Sequence, residues 1–286
     1  MEHFDFQYIN GKLVKEGDPL IFASDSGFLR SFSIFDYFNL IEGIPVFLED
    51  HLDRFFCSAK QVGLKVPYTR PEIKDAIFQF LDVNDVKNGG VRLVLTGGVP
   101  DRISRKETPN FIIQGAFLVV LPQSAYTDGV SLITHEYLRE FPEVKTTNYM
   151  MWKSLSSKID SARALDVLYH LNGNISETSR GNFFLVTADN LVVTPRDKIL
   201  KGITRKYALT LAKDQFEVEE RDVSLSELSS ANEAFLTSSS KSILPVVKIG
   251  DTIIGDGKPG AVTHSLMRLY KKQVSKELIN FKESII

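Results

Sequence analysis

The sequence predicts an α+β protein. Strand-like runs come in groups and do not alternate strictly with helices, which disfavours a doubly wound sheet. Asn-Gly and Glu-Gly dipeptides sit between short apolar runs, where tight hairpins need residues that accept a positive φ. Of 286 residues, 43% are hydrophobic and 24% charged, an ordinary globular balance with core enough for one large domain or two modest ones.

Taken in order, "FQYINGKLV" reads as a hairpin around Asn10-Gly11. "SIFDYFNLIEGIPVF" is a strand, a Glu-Gly turn and a second strand. A helix follows from about Leu48, with Leu52, Phe56 and Ala59 as its apolar stripe and Cys57 packed beside Phe55 and Phe56. "PEIKDAIFQFLDVN" has a proline start and helical spacing. "GVRLVLTGG" and "NFIIQGAFLVVLP" are strands rich in β-branched and aromatic residues. Pro, Ser and Gly then cluster at 122–129, so the chain is expected to divide into a small N-terminal domain (1–121), a linker (122–130) and a larger domain (131–286).

Beyond that boundary "VSLITHEYL" is a strand, and "NYMMWKSLSSKIDSARALD" one helix with Met151, Leu155, Ile159 and Ala162 on a face. Residues 166–194 form a β-meander, and a helix begins near "GITRKYALTLAK". Strands follow at "FEVEERDV", "EAFLTSS" and "ILPVVKIGDTII", and a helix from about Ala261 to Leu278 closes the chain.

The net charge is -2 with no long run of one sign, which argues against a nucleic-acid groove or a membrane surface. The N-terminus lacks a basic start and apolar core, and no apolar run reaches bilayer length. A single cysteine excludes an intrachain disulfide framework and fits a reducing compartment, so a cytoplasmic enzyme or binding protein is expected. The histidines His3, His51, His135, His170 and His264 show no metal-ligand spacing, so no metal is expected. No G-x-S-x-G elbow supports a serine nucleophile. "GDGKPG" (255–260) matches a dinucleotide fingerprint, but Pro259 interrupts it and no second strand follows; it reads as a turn into the last helix.

Three weaker features remain. His51 and Arg54 can share a helix face, where a solvated charged surface with Glu49 and Asp53 is the plain alternative. "ILKGITRKYAL" starts a helix whose free N–H groups could bind an anion or simply begin a helix. "FLTSSSKSILPV" carries a hydroxyl run that could cradle phosphate or form a turn.

In order, "DSGFLRSFSIFDYF", "HLDRFFCSA", "VKTTNY", "ISETSRGNFF", "VVTP", "LKGITR", "FLTSSSKSILPV" and "GDGKPG" resemble the class IV, fold type IV family of pyridoxal-phosphate enzymes. That family includes branched-chain and D-amino-acid aminotransferases and aminodeoxychorismate lyases. The likeness runs from Asp25 to Gly260. It implies a two-domain fold with a small N-terminal α/β domain and a barrel-like C-terminal core. It also implies a homodimer and pyridoxal 5'-phosphate as cofactor, with a small amino acid and a 2-keto acid exchanging the amino group by ping-pong transamination. Lys145 matches the Schiff-base lysine, Glu177 the carboxylate facing the pyridine nitrogen, and Arg54 the phosphate-binding arginine. Ile203, Thr204, Ser239 and Ser240 correspond to the rest of the phosphate cup. Tyr149 resembles a substrate-site tyrosine of the branched-chain enzymes, one residue nearer the lysine.

Arg30 and Arg180 stand where relatives more often carry apolar, aromatic or small residues. A guanidinium fork binds carboxylate, so the pair is expected to trap a substrate carboxylate, with surface ion pairs as the alternative. Arg102 lies near a loop arginine of D-amino-acid aminotransferases, but Ser104 stands where their histidine would be. "NYMM" after the lysine lacks the Asn-Arg pair of the lyases, and Lys145, Glu177 and Arg54 together disfavour an inactive module.

Overall fold

The computed structural model describes residues 4–18, 21–100, 107–118 and 120–285; Arg102 and Ser104 lie outside them. The chain divides into two compact units. The first comprises Met1–Leu118, Val144–Asn148 and Glu277–Ile286, and the second Val119–Glu143 and Tyr149–Lys276.

The first unit runs β1 (Phe6–Ile9), β2 (Lys12–Lys15), α1 (Ser26–Arg30), β3 (Ser33–Ile41), β4 (Ile44–Pro45), α2 (Leu48–Gln61), α3 (Arg70–Asn84), β5 (Gly89–Pro100) and β6 (Glu107–Ala116). Its antiparallel sheet is ordered β2-β1-β6-β5-β3-β4. Asn10-Gly11 and Glu42-Gly43 turn the two short hairpins with positive φ at both residues, as the dipeptides predict. Along β3 the even positions Ile34, Asp36, Phe38 and Leu40 point inward, so the pleat carries one carboxylate into the core.

Helix α2 covers that face with Leu48, His51, Leu52, Phe55, Ser58 and Ala59, the spacing of one helical stripe. The expected stripe needs correcting. Phe55 is fully buried, Phe56 is only partly buried against the core, and Cys57 is exposed because it lies off the stripe. Thr69 and Glu72 form a capping box at the start of α3, with a proline in its first turn.

The second unit contains α4 (Ser124–Thr127), β7 (Val130–Glu136), α5 (Met150–Ser154), α6 (Ser156–Ser161), β8 (Asp166–Leu171), β9 (Asn174–Thr178), β10 (Asn182–Val186), β11 (Val192–Pro195) and α7 (Ile203–Lys213). Then come β12 (Val218–Arg221), β13 (Val223–Ser224), a 3₁₀ turn at Leu225–Ser230, β14 (Glu233–Ser238), β15 (Ser242–Ile249), β16 (Thr252–Ile253) and α8 (Ala261–Ile285), whose residues from Glu277 on belong to the first unit. Strands β10-β14-β15-β7-β8-β9 follow one another by pairing, and β9 pairs back to β10 at Glu177 and Asn182. That last pairing closes a six-stranded barrel, which has no free edge between those strands.

The single helix expected after residue 148 is instead two, broken at Leu155. Ser154 and Ser156 turn their hydroxyls back onto the Met151 and Lys153 carbonyls, in local bonds that compete with helix continuation. Leu155 and Ile159 still bury together against Val167 and Tyr169. Helix α8 runs past the expected end, to Ile285.

The 255–260 loop is a turn into α8, with positive φ at Gly255 and Gly257. The helix N-terminus is closed by the protein's own carboxylate, since the Val262 and Thr263 N–H groups donate to Glu233 at 3.0 and 2.7 Å. A Cβ on Gly260 would collide with that carboxylate. Glu233→Ala is expected to cost about 1–2 kcal/mol in denaturant unfolding, the loss of a buried helix cap. An unchanged midpoint would show that α8 is held by packing alone.

Candidate active site

One rim of the barrel gathers chemistry from four segments. Thr178 lies opposite Leu168, so the turn 179–181 after β9 comes to the end of the barrel where β8 begins with Asp166. Asn182 lies opposite Thr237, which brings the β14–β15 turn, residues 239–241, to the same end. The segment before α7 is tied in twice. The Leu200 N–H donates to Glu177 Oε2 at 3.0 Å, and Asn182 Nδ2 donates to the Leu200 carbonyl at 2.7 Å. Gly202 passes so close to Asn182 that any Cβ there would strike its side-chain oxygen.

Glu177 is 5% exposed and sits at the barrel's closing pair. Its Oε1 accepts from Arg139 Nε at 2.8 Å and stands 2.7 Å from Arg139 Nη2, while Oε2 takes the Leu200 amide. A carboxylate so held presents a fixed negative charge. Arg139 also donates to the Pro142 carbonyl, which fixes the guanidinium. Sequence reading missed Arg139 because it lies outside any strand or helix, where no periodicity marks it.

Helix α7 has Gly202 at its N-cap and no side-chain cap, in contrast to α8. Its first N–H groups, at Ile203 and Thr204, are the kind that receive an anion. The Thr204 hydroxyl is already engaged with Tyr270 at 3.2 Å, so of Thr204 only the backbone is available. Thr237 places a buried hydroxyl without a hydrogen-bond partner on β14 opposite Asn182. Ser239 and Ser240 are half-buried in the turn beyond.

Tyr149, half-buried, precedes α5. Burial pushes its phenol up, opposed by Arg139 and Arg180 and reinforced by Glu177 and Asp166, so it lies among the same charges. Arg180 is exposed, and its guanidinium lies 4.3 Å from the Trp152 ring centre.

In the first unit, Lys145 belongs to a segment laid along β3. Phe35 N–H donates to the Lys145 carbonyl at 2.9 Å, Thr147 N–H to Ser33 at 3.2 Å, and Lys145 N–H to Ser58 Oγ at 3.4 Å. The Lys145 ammonium stands 4.6 Å from the Phe35 ring centre. Nearby, Arg54 grips the fully buried Asp36 in a fork, Nε to Oδ2 at 2.9 Å and Nη2 to Oδ1 at 2.7 Å. His51 Nδ1 lies 2.7 Å from Asp36 Oδ1 and, as the neutral tautomer, donates to it. The solvated charged face is therefore confined to Glu49 and Asp53, which pair with Arg70 instead. Arg54 Nη1 stays outside this network, a donor left over for an anion. Arg30 is exposed, and its guanidinium donates to the neighbouring Leu29 carbonyl at 3.0 Å.

A profile of the family described as Amino-transferase class IV matches residues 33–249. The chain belongs to the class IV aminotransferase family. A Methanocaldococcus jannaschii protein provisionally named a branched-chain-amino-acid aminotransferase is 32% identical, over 92% of this chain and 94% of its own. The D-alanine aminotransferase of Bacillus licheniformis is 26% identical, over 94% and 96%. In fold, the branched-chain amino acid aminotransferase of T.th., solved with pyridoxamine 5'-phosphate, superposes with a TM-score of 0.88, at 22% identity and covering 97% and 96% of the two chains. Class IV aminotransferases use pyridoxal phosphate, and the donor set here fits it: uncapped N–H groups at α7, the unpartnered Thr237 hydroxyl, and an anchored carboxylate at Glu177.

Proposed function

We propose that this class IV aminotransferase moves an amino group between an amino acid, either a D-amino acid or a branched-chain L-amino acid, and a 2-keto acid, in two half-reactions. When bound, pyridoxal phosphate supplies an aldehyde for the amine and a cationic ring that accepts electrons from the substrate's Cα. With the cofactor bound, Lys145 Nζ would hold it covalently, give way to the substrate amine, and then as a free amine carry the Cα proton to the carbon that bore the aldehyde. Arg54 Nη1, the N–H groups of Ile203 and Thr204, and Ser239 and Ser240 hold the phosphate. Glu177, fixed by Arg139 and Leu200, keeps the ring nitrogen protonated. Tyr149, Arg30 and Arg180 face the substrate.

The observation that carries this reading is the doubly anchored Glu177 at the rim that also presents the uncapped α7 N-terminus. The working form is a homodimer, with Arg30 reaching the partner's substrate; Phe22 and Phe28, 77% and 75% exposed in the single chain, supply apolar surface for it. Its setting is the cytoplasm. Among the described residues no helix is long and apolar enough to cross a membrane.

The test is a panel of half-reactions with D-alanine, D-glutamate, L-leucine and aminodeoxychorismate, followed by the visible spectrum of the purified holoenzyme. Conversion of the bound cofactor by an amino acid, reversed by a 2-keto acid, is the expected result. A spectrum that no amino acid changes would sink the reading, and pyruvate release from aminodeoxychorismate would replace it with a lyase.

A further inference from the structure

Lys241 ends the β14–β15 turn and is 8% exposed. Its hydrogen bonds run through its backbone: its N–H donates to Ser238 Oγ at 3.2 Å, and its carbonyl accepts from the Tyr126 hydroxyl at 3.2 Å. Among the described residues its ammonium meets no hydrogen-bond acceptor and no ion pair. Burying an ammonium in that way is costly unless something else completes it. Asn182 opposite Thr237 brings the turn of Arg180 and the turn of Lys241 to one end of the barrel, and Ser179 in the first of these turns bonds Asp166, so the three charges share one rim. Burial lowers the Lys241 pKa, with Asp166 opposing and Arg180 adding to the shift.

The other two groups do not complete it. Asp166 is 2% exposed and forms no ion pair with Lys241 among the described residues; burial pushes its carboxyl up, and its Oδ1 is taken by the Ser179 hydroxyl at 2.6 Å and the Val167 N–H at 2.9 Å. Arg180 makes no ion pair among the described residues and rests on Trp152. Two cations thus face one carboxylate. Arg139 and Glu177 close on each other and leave the sum unchanged. One positive charge is left over at the rim, the complement of one carboxylate.

We infer that Lys241 and Arg180 together bind one carboxylate of the amino acid or 2-keto acid, with Lys241 the buried point charge and Arg180 the exposed fork that meets the incoming substrate. This inference rests on the aminotransferase reading and extends it to a residue that the resemblance does not assign. The carboxylate has two sources, the α-carboxylate of every substrate or the side-chain carboxylate of an acidic one. Asp166 opposes the anion and limits the site to a single carboxylate.

The experiment titrates wild-type, Lys241→Met and Arg180→Gln holoenzymes with two unreactive acids, hexanoate and glutarate, by calorimetry. Each variant is expected to weaken binding by about ten- to a hundredfold, the effect of losing one charge-assisted hydrogen bond. Equal loss for both acids assigns the α-carboxylate, and loss for glutarate alone assigns the side chain. Asp166→Asn is expected to tighten both. If Lys241 serves only to balance Asp166, Lys241→Met lowers the melting temperature, Asp166→Asn restores it in the double variant, and neither affinity moves; that overturns the inference. Should Lys241→Met not fold, unmoved affinity in Arg180→Gln, whose side chain is exposed, overturns it equally. A wild-type holoenzyme whose spectrum no amino acid changes fails the aminotransferase reading, a result separate from these affinities.

Discussion

Lys145→Ala is expected to fold like the wild type and to lose transamination with every amino acid by at least about 10²–10⁴-fold, the share that proton transfer by a positioned group contributes. Folding is retained because the segment is held by its backbone. The bonds from Phe35 to the Lys145 carbonyl, from Thr147 to Ser33, and from the Lys145 N–H to Ser58 involve no part of the lysine side chain. The placement of the side chain by the Phe35 ring is worth about 0.5–1 kcal/mol at a partly exposed site. The measurement pairs a melting curve with single-turnover half-reactions. A folded variant that keeps more than about a tenth of the wild-type rate would remove Lys145 from the chemistry, because a general base contributes far more than that.

The hairpins, the helix starts and the strands are legible because each carries local chemistry: Asn-Gly or Glu-Gly at a turn, a proline in the first turn of α3, β-branched and aromatic runs in the strands. Where the reading failed, a local competitor decided. Aromatic neighbours suggest a core place for Cys57, but the inward stripe of α2 runs through Phe55, Ser58 and Ala59, and at about 100° per residue Cys57 falls outside it. The break at Leu155 came from two serines that bond back to the chain.

Site residues divide in the same way. Resemblance alone marks Lys145, Glu177 and Arg54, since nothing in composition separates one lysine from many. The side chains that anchor two of them carry no such mark. Arg139 has no local signal at all, because it lies in an irregular segment and its partner is 38 residues away. Asp36 does have one. It shares the inward parity of Ile34, Phe38 and Leu40, and a carboxylate at an inward position of a strand needs a cation. His51 and Arg54, one turn apart on the next helix, were the available donors.

Asp36→Asn is accordingly expected to destabilise the protein by about 3–5 kcal/mol, because it leaves the Arg54 and His51 cluster buried without its anion. If Arg54 holds the phosphate as proposed, the substitution should also weaken cofactor retention, since the fork to Asp36 fixes that guanidinium. The pH dependence separates this from a general packing loss. Burial alone would push the Asp36 carboxyl up, but the charge of Arg54 and then that of His51 outweigh it and hold it well below the usual carboxylate range. A depressed carboxyl stabilises the fold above its unfolded pKa of about 3.9 and loses that stability as pH falls towards the folded value. Burial also lowers the His51 pKa, and Asp36 is what raises it back. The variant therefore suffers more than the wild type as histidine is forced to charge below about pH 6.5. The stability gap between wild type and variant should hold or widen from pH 7 to 5 and close only below about pH 4. Denaturant melts at four pH values read this directly. A gap that shrinks steadily between pH 7 and 5 would mean that Asp36 is not the ionised partner of Arg54.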